Sequence, residues 1–132
     1  MQVGMIGLGR MGMNMARRLL TENHQVIVYN RTQEKVEQMV KEGAIGSASL
    51  EELVQKLSPP RVVWMMYPAG ELVDETTSTL SSLLSEGDIL VEGGNSYYKD
   101  DIRRARTLKT KGIHYVDAGV SGGIWGLKIG YC

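Results

Sequence analysis

Three short stretches hold residues whose types and spacing could do chemistry. The first is Gly7-Leu8-Gly9-Arg10-Met11-Gly12, a GxGxxG pattern directly after the apolar run Val3–Ile6. In a strand–turn–helix setting, Gly7 permits the tight turn and Gly9 lets the backbone approach a pyrophosphate. Gly12 lets helix and strand pack, and the helix start offers free N–H groups to an anion. The plain alternative is a glycine-rich turn without a ligand. The second stretch is Asn30-Arg31-Thr32, with Asn30 standing 23 positions after Gly7. A dinucleotide-binding unit usually carries a ribose-binding acid about there. A carboxylate would repel a 2′-phosphate, whereas an amide removes that charge and still bonds a ribose oxygen. Arg31 brings a fork of donors suited to phosphate and can stack on a base. Thr32 adds a hydroxyl and, at a helix start, a free N–H. Together they favour NADP over NAD: one charge-assisted contact of about 1.5–3 kcal/mol is about 10–100-fold in affinity. The plain alternatives are a solvated Arg31 and a simple N-cap at Thr32. The third stretch comprises two loops, Glu92-Gly93-Gly94-Asn95-Ser96 and Asp117-Ala118-Gly119-Val120-Ser121-Gly122-Gly123. An amide at Asn95 can donate to a substrate oxygen, and Gly122 and Gly123 clear side chains from a backbone beside the hydroxyl of Ser121. The plain alternative for the first loop is a turn in which Asn95 or Ser96 caps the next helix.

Elements must position these loops, and their pattern is regular. Val3–Ile6, Gln25–Tyr29, Arg61–Met66, Ile89–Val91 and Ile113–Val116 read as strands. Arg10–Thr21, Thr32–Glu42, Ser49–Leu57, Gly70–Leu84 and Tyr98–Lys111 read as helices. Ser49 with Glu52 three residues later is a capping-box pattern, and Pro59-Pro60 ends that helix. The continuous apolar run after Arg61 suits a strand covered on both faces. Strand and helix in alternation predict an α/β fold, a doubly wound Rossmann-type parallel sheet with helices on both faces, as one domain over residues 1–132. Ligands in such sheets bind beyond the carboxyl ends of the strands, where all three stretches fall.

Bulk properties exclude other classes. Lys+Arg and Asp+Glu both number 15, for a formal net charge of zero, against general binding of nucleic acid or a membrane surface. No apolar run reaches spanning length, and Val3–Leu8 is too short for an export signal, so the cytoplasm is the expected compartment. The only cysteine is Cys132, and no grouping of His, Asp and Glu suggests a metal site. His24 is expected to be exposed, and His114 to be a core or edge histidine. The methionines read as core filling and Lys128 as solvated. The chain stops at Gly130-Tyr131-Cys132 without a polar tail or a helix end, so either the domain ends in a strand here or, as the favoured expectation, this is a piece of something longer.

The chain resembles the coenzyme domain of the decarboxylating 6-phosphogluconate dehydrogenases over its whole length. The GLGRMGMNMA loop followed by NRT, the EGGNS loop followed by YYKDDIRR, and DAGVSGG carry the resemblance. Related hydroxyacid dehydrogenases usually have Asp-x-Ser-Thr in place of GGNS, and Ala-Pro-Val in place of Ala-Gly-Val before SGG. The resemblance implies that Asn95 lies between nicotinamide and substrate, that Ser121-Gly122-Gly123 holds the sugar acid, and that Tyr67, Pro68 and Ala69 meet the cofactor. Three departures mark a distinct branch. The family often has Val-Lys-Ala-Gly where this chain has Tyr-Pro-Ala-Gly, many members have Ala at Gly9, and many have two acids at Ile124-Trp125.

The implied reaction oxidises 6-phosphogluconate to a β-keto acid, which loses carbon dioxide to give an enediol and then ribulose 5-phosphate, with reduction of NADP. It needs a base and an acid. The family supplies a lysine and a glutamate from a helical domain that follows and builds the homo-oligomer; both are expected beyond Cys132, leaving no catalytic residue in this chain. The isolated chain is therefore expected to bind cofactor, with NAD as the alternative to NADP, and to be inactive on the sugar phosphate. Two other readings stand beside this one: the coenzyme domain of a β-hydroxyacid dehydrogenase or imine reductase, and a non-catalytic dinucleotide-sensing module.

Overall fold

Alternation along the strands divides the core between two faces of one sheet. A computed structural model describes every residue from Met1 to Cys132. The strands are β1 (Gln2–Ile6), β2 (Gln25–Tyr29), β3 (Ile45–Gly46), β4 (Val62–Met65), β5 (Ile89–Glu92) and β6 (His114–Asp117). The helices are α1 (Arg10–Thr21), α2 (Gln33–Lys41), α3 (Leu50–Gln55), α4 (Glu71–Leu83), α5 (Tyr98–Lys109) and α6 (Gly126–Ile129). All strand pairs are parallel, in the order β3-β2-β1-β4-β5-β6. This is the doubly wound arrangement, whose strand order reverses between β1 and β4. Ile6 and Ile27 point to one side with Val63, Met65, Leu80, Leu90 and Leu108. Met5, Val26 and Val28 point to the other with Met15, Ala16, Val36 and Met39. Each fully buried Leu or Met contributes about 1.5–3 kcal/mol of burial free energy.

Local signals account for the helix ends. Ser49 Oγ accepts from Glu52 N at 3.1 Å, and Glu52 Oε2 accepts from Ala48 N at 2.6 Å. That is a capping box whose return bond lands one residue early. Thr32 stands at the N-cap of α2, yet its side chain makes no cap bond.

Two elements were not legible. The two-residue β3 is too short for any periodicity, and α6 follows a glycine-rich loop without a helical pattern. His24 is half-buried rather than exposed, and the N-terminal ammonium of Met1 lies 3.4 Å from its Nδ1. His114 is exposed on β6, the free edge of the sheet. Four of the methionines, Met5, Met15, Met39 and Met65, are buried core residues, and Lys128 is exposed. No helix is long and apolar enough to cross a membrane.

Candidate functional site

The loops after β1, β2, β4, β5 and β6 leave the same end of the sheet, because all the strands run parallel. The first of these loops is a seat for an anion. Gly7 has φ +90, and a Cβ at Gly12 would run into the carbonyl oxygen of Gly7, so only glycine lets α1 start this close to β1. A Cβ at Gly9 would meet nothing within 4 Å, which leaves open space over the turn. The N-cap is Gly9 itself, with no side-chain bond and no acid in the first turn. The first-turn N–H groups, of Arg10, Met11 and Gly12, have no intrahelical acceptor and carry the positive end of the helix dipole. Leu8 is fully buried and its N–H is already engaged. The side chain of Arg10 is exposed and makes no hydrogen bond or ion pair.

Asn30 fastens this loop to the next. Its Oδ1 accepts from Leu8 N at 2.9 Å, and its Nδ2 donates to Thr32 O at 3.2 Å. Gln33 Nε2 donates in turn to Asn30 O at 3.1 Å. Arg31 is exposed and has no hydrogen bond or ion pair, in contrast to Arg17, Arg18, Arg61, Arg103 and Arg104. It lies close enough to oppose the rise in the Tyr67 phenol, whose pKa burial pushes up to about 12 with the help of Tyr29. Free N–H groups, open space and unengaged guanidinium groups are the fittings a dinucleotide phosphate requires.

After β4, Tyr67 belongs to the core, while Pro68, Ala69 and Gly70 are exposed. The Tyr67 ring packs beneath Gly7, and its carbonyl oxygen crowds Gly94 so closely that a Cβ there could not fit. The GGNS loop is thus pressed against the loop before it. Asn95 is exposed with φ +60, and its side chain has no partner in the protein. Neither Asn95 nor Ser96 caps α5, whose N-cap is Tyr97 without a side-chain bond. That removes the plain explanation for the asparagine.

Sequence reasoning missed the residue that holds this loop. Glu92, the last residue of β5, is fully buried. Its Oε1 accepts from Gly94 N at 2.6 Å and its Oε2 from Ser96 N at 3.2 Å. An acid that closes an apolar strand just before two glycines was the available signal. Behind it the fold gathers three carboxylates, of Glu92, Asp101 and Asp117, whose oxygens lie within 4.8 Å of one another; nothing in the sequence spacing indicated this grouping. Asp101 is the hub. Tyr115 OH donates to its Oδ1 at 2.6 Å, and Arg104 Nη1 donates to the same oxygen at 2.9 Å. Arg104 Nε reaches Asp74 on α4 at 2.9 Å. Burial works against the Arg104 charge, and the bonds to Asp74 and Asp101 more than offset it. Burial, reinforced by Asp101, drives the Tyr115 phenol well above its ordinary value. This network ties α4, α5 and β6 together under the GGNS loop.

The SGG loop leaves β6, whose Asp117 pairs in register with Glu92 of β5. Ser121 is exposed, and its backbone exchanges two hydrogen bonds with Cys132. Gly122 has φ +132 and Gly123 φ +49, and a Cβ at Gly123 would meet nothing within 4 Å. Arg18 of α1 donates to the carbonyl of Leu127 at 3.3 Å and so holds α6 beside the loop.

A family model, the NAD binding domain of 6-phosphogluconate dehydrogenase, matches residues 2–131. The chain belongs to this family. It is 46% identical over 132 residues to the Bacillus subtilis protein YqeC, which bears the name of a 6-phosphogluconate dehydrogenase; the match takes in 100% of the chain and 44% of YqeC. It is 43% identical to the NADP(+)-dependent decarboxylating 6-phosphogluconate dehydrogenase of the same species, over 92% of the chain and 27% of that enzyme. An NAD(+)-dependent enzyme of that species is 42% identical, over 97% of the chain and 28% of the enzyme. Among solved structures, Plasmodium falciparum 6-phosphogluconate dehydrogenase superposes with a TM-score of 0.92 at 36% identity, over 99% of the chain and 29% of the Plasmodium chain. The chain also superposes on an imine reductase from Bacillus cereus with a TM-score of 0.80 at 27% identity, over 91% of the chain and 41% of that enzyme. The chain spans less than half the length of each of these relatives.

Proposed function

We propose that the chain is the NADP-binding domain of a decarboxylating 6-phosphogluconate dehydrogenase, and that it also supplies part of the sugar-acid site. The observation that carries this reading is the amide of Asn95, held at φ +60 with no partner in the protein. It stands at the same sheet end as the α1 phosphate seat and the SGG loop. No group of the protein engages the exposed amide, which leaves it free for a ligand between nicotinamide and sugar.

Bound NADP supplies the hydride acceptor. The N–H groups of Gly9 to Gly12 hold its pyrophosphate, and Arg31 and Thr32 meet the 2′-phosphate. Arg10, Pro68 and Ala69 border the same opening, and Tyr67 supports it from below. Asn95 donates to a substrate oxygen, while Ser121, Gly122 and Gly123 receive the sugar acid. The reaction needs a base and an acid, and the glutamate at this end of the sheet, Glu92, is fully buried and engaged by the Gly94 and Ser96 N–H groups, so it does not reach a substrate. The chain on its own therefore binds dinucleotide and does not form NADPH from 6-phosphogluconate.

Titration calorimetry with NADPH and NADH tests this, with Arg31→Ala alongside. NADPH is expected to bind at least about tenfold more tightly, and the variant to lose that preference. Equal binding of NADH would move the chain to the NAD-using branch, a reading kept in view by the near-equal identities to NADP- and NAD-dependent relatives. Formation of NADPH from 6-phosphogluconate by the chain alone would refute the inactivity.

A further inference from the structure

Glu92 is a buried carboxylate with an unusual set of partners. It is fully inaccessible, and no lysine, arginine or histidine hydrogen-bonds to it. Two more carboxylates, of Asp101 and Asp117, have oxygens within 4.8 Å of its own, and Arg104 and Tyr115 donate to Asp101 instead. A buried carboxylate needs hydrogen bonds to its charge. The only donors Glu92 has are the backbone N–H groups of Gly94 and Ser96. These two residues flank Asn95. The glycine is obligatory there, since a Cβ would run into the Tyr67 carbonyl oxygen and lie 2.7 Å from Glu92 Oε1.

We propose that Glu92 is the positioning residue for Asn95: its carboxylate grips the backbone on both sides of the asparagine and so fixes the left-handed turn that presents the amide to the nicotinamide and substrate. The role rests on the proposed function. It differs from a general structural role because the grip is local to one turn. A side chain at φ +60 is costly for a non-glycine residue and persists only where the surroundings over-determine it. Here the two bonds to Glu92 do so. Asn95 itself tolerates this backbone region better than most residues.

The experiment uses Glu92→Gln, which keeps the shape and one carbonyl acceptor but removes the charge, with Asn95→Ala and the double variant. Two readouts apply. Amide exchange and heteronuclear relaxation report the order of residues 94–96, independent of any ligand. Affinities for NADPH and for 2′,5′-ADP, which lacks the nicotinamide half, report the consequence for binding. The expected result in Glu92→Gln is exchange at Gly94 and Ser96 faster by about tenfold or more, with lowered order at Asn95. NADPH affinity should fall about tenfold while 2′,5′-ADP binding is unchanged. In the Asn95→Ala background, Glu92→Gln should add nothing to the loss of NADPH affinity, as coupled residues do. Unchanged exchange and order at 94–96 would overturn the proposal, as would equal weakening of both ligands. Should Glu92→Gln not fold, Glu92→Asp, which keeps the charge on a shorter arm, is read by the same probes against the same expectations. If the wild-type chain binds neither ligand, the proposed function fails, and the exchange and order measurements still decide the role of Glu92.

Discussion

At the scale of single residues, the glycines of the first loop do different jobs, and their replacement should separate them. Gly12→Ala drives a methyl into the Gly7 carbonyl, where backbone meets backbone and neither can yield. A loss of about 3 kcal/mol is expected in urea melts, at the upper end for overpacking. Gly9→Ala enters open space, and its effect is only that of a poorer N-cap, about 1 kcal/mol or less. Equal losses for the two would mean that the α1 start is not as close to β1 as described. The spacing of these glycines was readable in advance because a tight turn leaves few residue types available. Glu92 was not, because its meaning depends on donors that arrive only when the loop folds back. The grouping of Asp101 and Asp117 with Glu92 was hidden for a related reason: parallel strands joined through a helix bring together residues far apart in sequence.

At the scale of elements, the strand and helix order was legible because each apolar run ends at a proline, glycine or capping residue. The exceptions, β3 and α6, are too short for a period to register. The entry to β4 depends on an ion pair that sequence did not reveal. Asp88 is almost fully buried, and its carboxylate accepts from Arg61 N at 2.7 Å, Ser85 N at 2.8 Å and Arg61 Nη1 at 3.0 Å. Burial alone would raise its pKa; these bonds outweigh burial and hold it below the ordinary carboxylate value. The folded pKa is thus the lower one. The stabilisation is complete above about pH 4, the unfolded value, and is lost as pH falls through the folded pKa. Asp88→Asn should lower stability at pH 7 by about 3 kcal/mol, as when one partner of a buried pair is removed. It should also flatten the fall in stability between about pH 4 and pH 2, measured by urea melts across that range. A variant as stable as the wild type at neutral pH would count against the pair as a fastening for β4. Ser49→Ala, which removes the α3 cap, should cost about 1 kcal/mol in the same assay.

At the scale of the whole molecule, the surface is uneven. Tyr97, Tyr98 and Ile102 of the α5 region, Val116 on the free edge of β6, and Ile124, Trp125 and Ile129 beyond it are all exposed. The formal net charge is zero, so no long-range repulsion keeps copies apart. Reversible self-association at rising concentration is the expected outcome in sedimentation velocity, and Trp125→Ser with Ile129→Ser should weaken it. A monomer at every concentration would refute that expectation. Net charge could be read from composition, but which apolar residues lie outside was set by the placing of β6 at the sheet edge.

The clasp at Asn30 bears on how such a domain could change its coenzyme. Its amide uses an acceptor toward Leu8 and a donor toward Thr32. An aspartate, the residue suited to an unphosphorylated ribose, would keep the first bond and set two acceptors face to face in the second. On the proposed function, the side chain at position 30 thus shares in coenzyme choice, beside Arg31, while it also closes the phosphate loop. A lineage, or an engineer, moving from one coenzyme to the other must pass through an intermediate that is poorer with both, unless the Arg31–Gln33 turn changes in the same step. Asn30→Asp alone should lose affinity for NADPH and NADH together, and only a joint replacement of that turn should recover NADH.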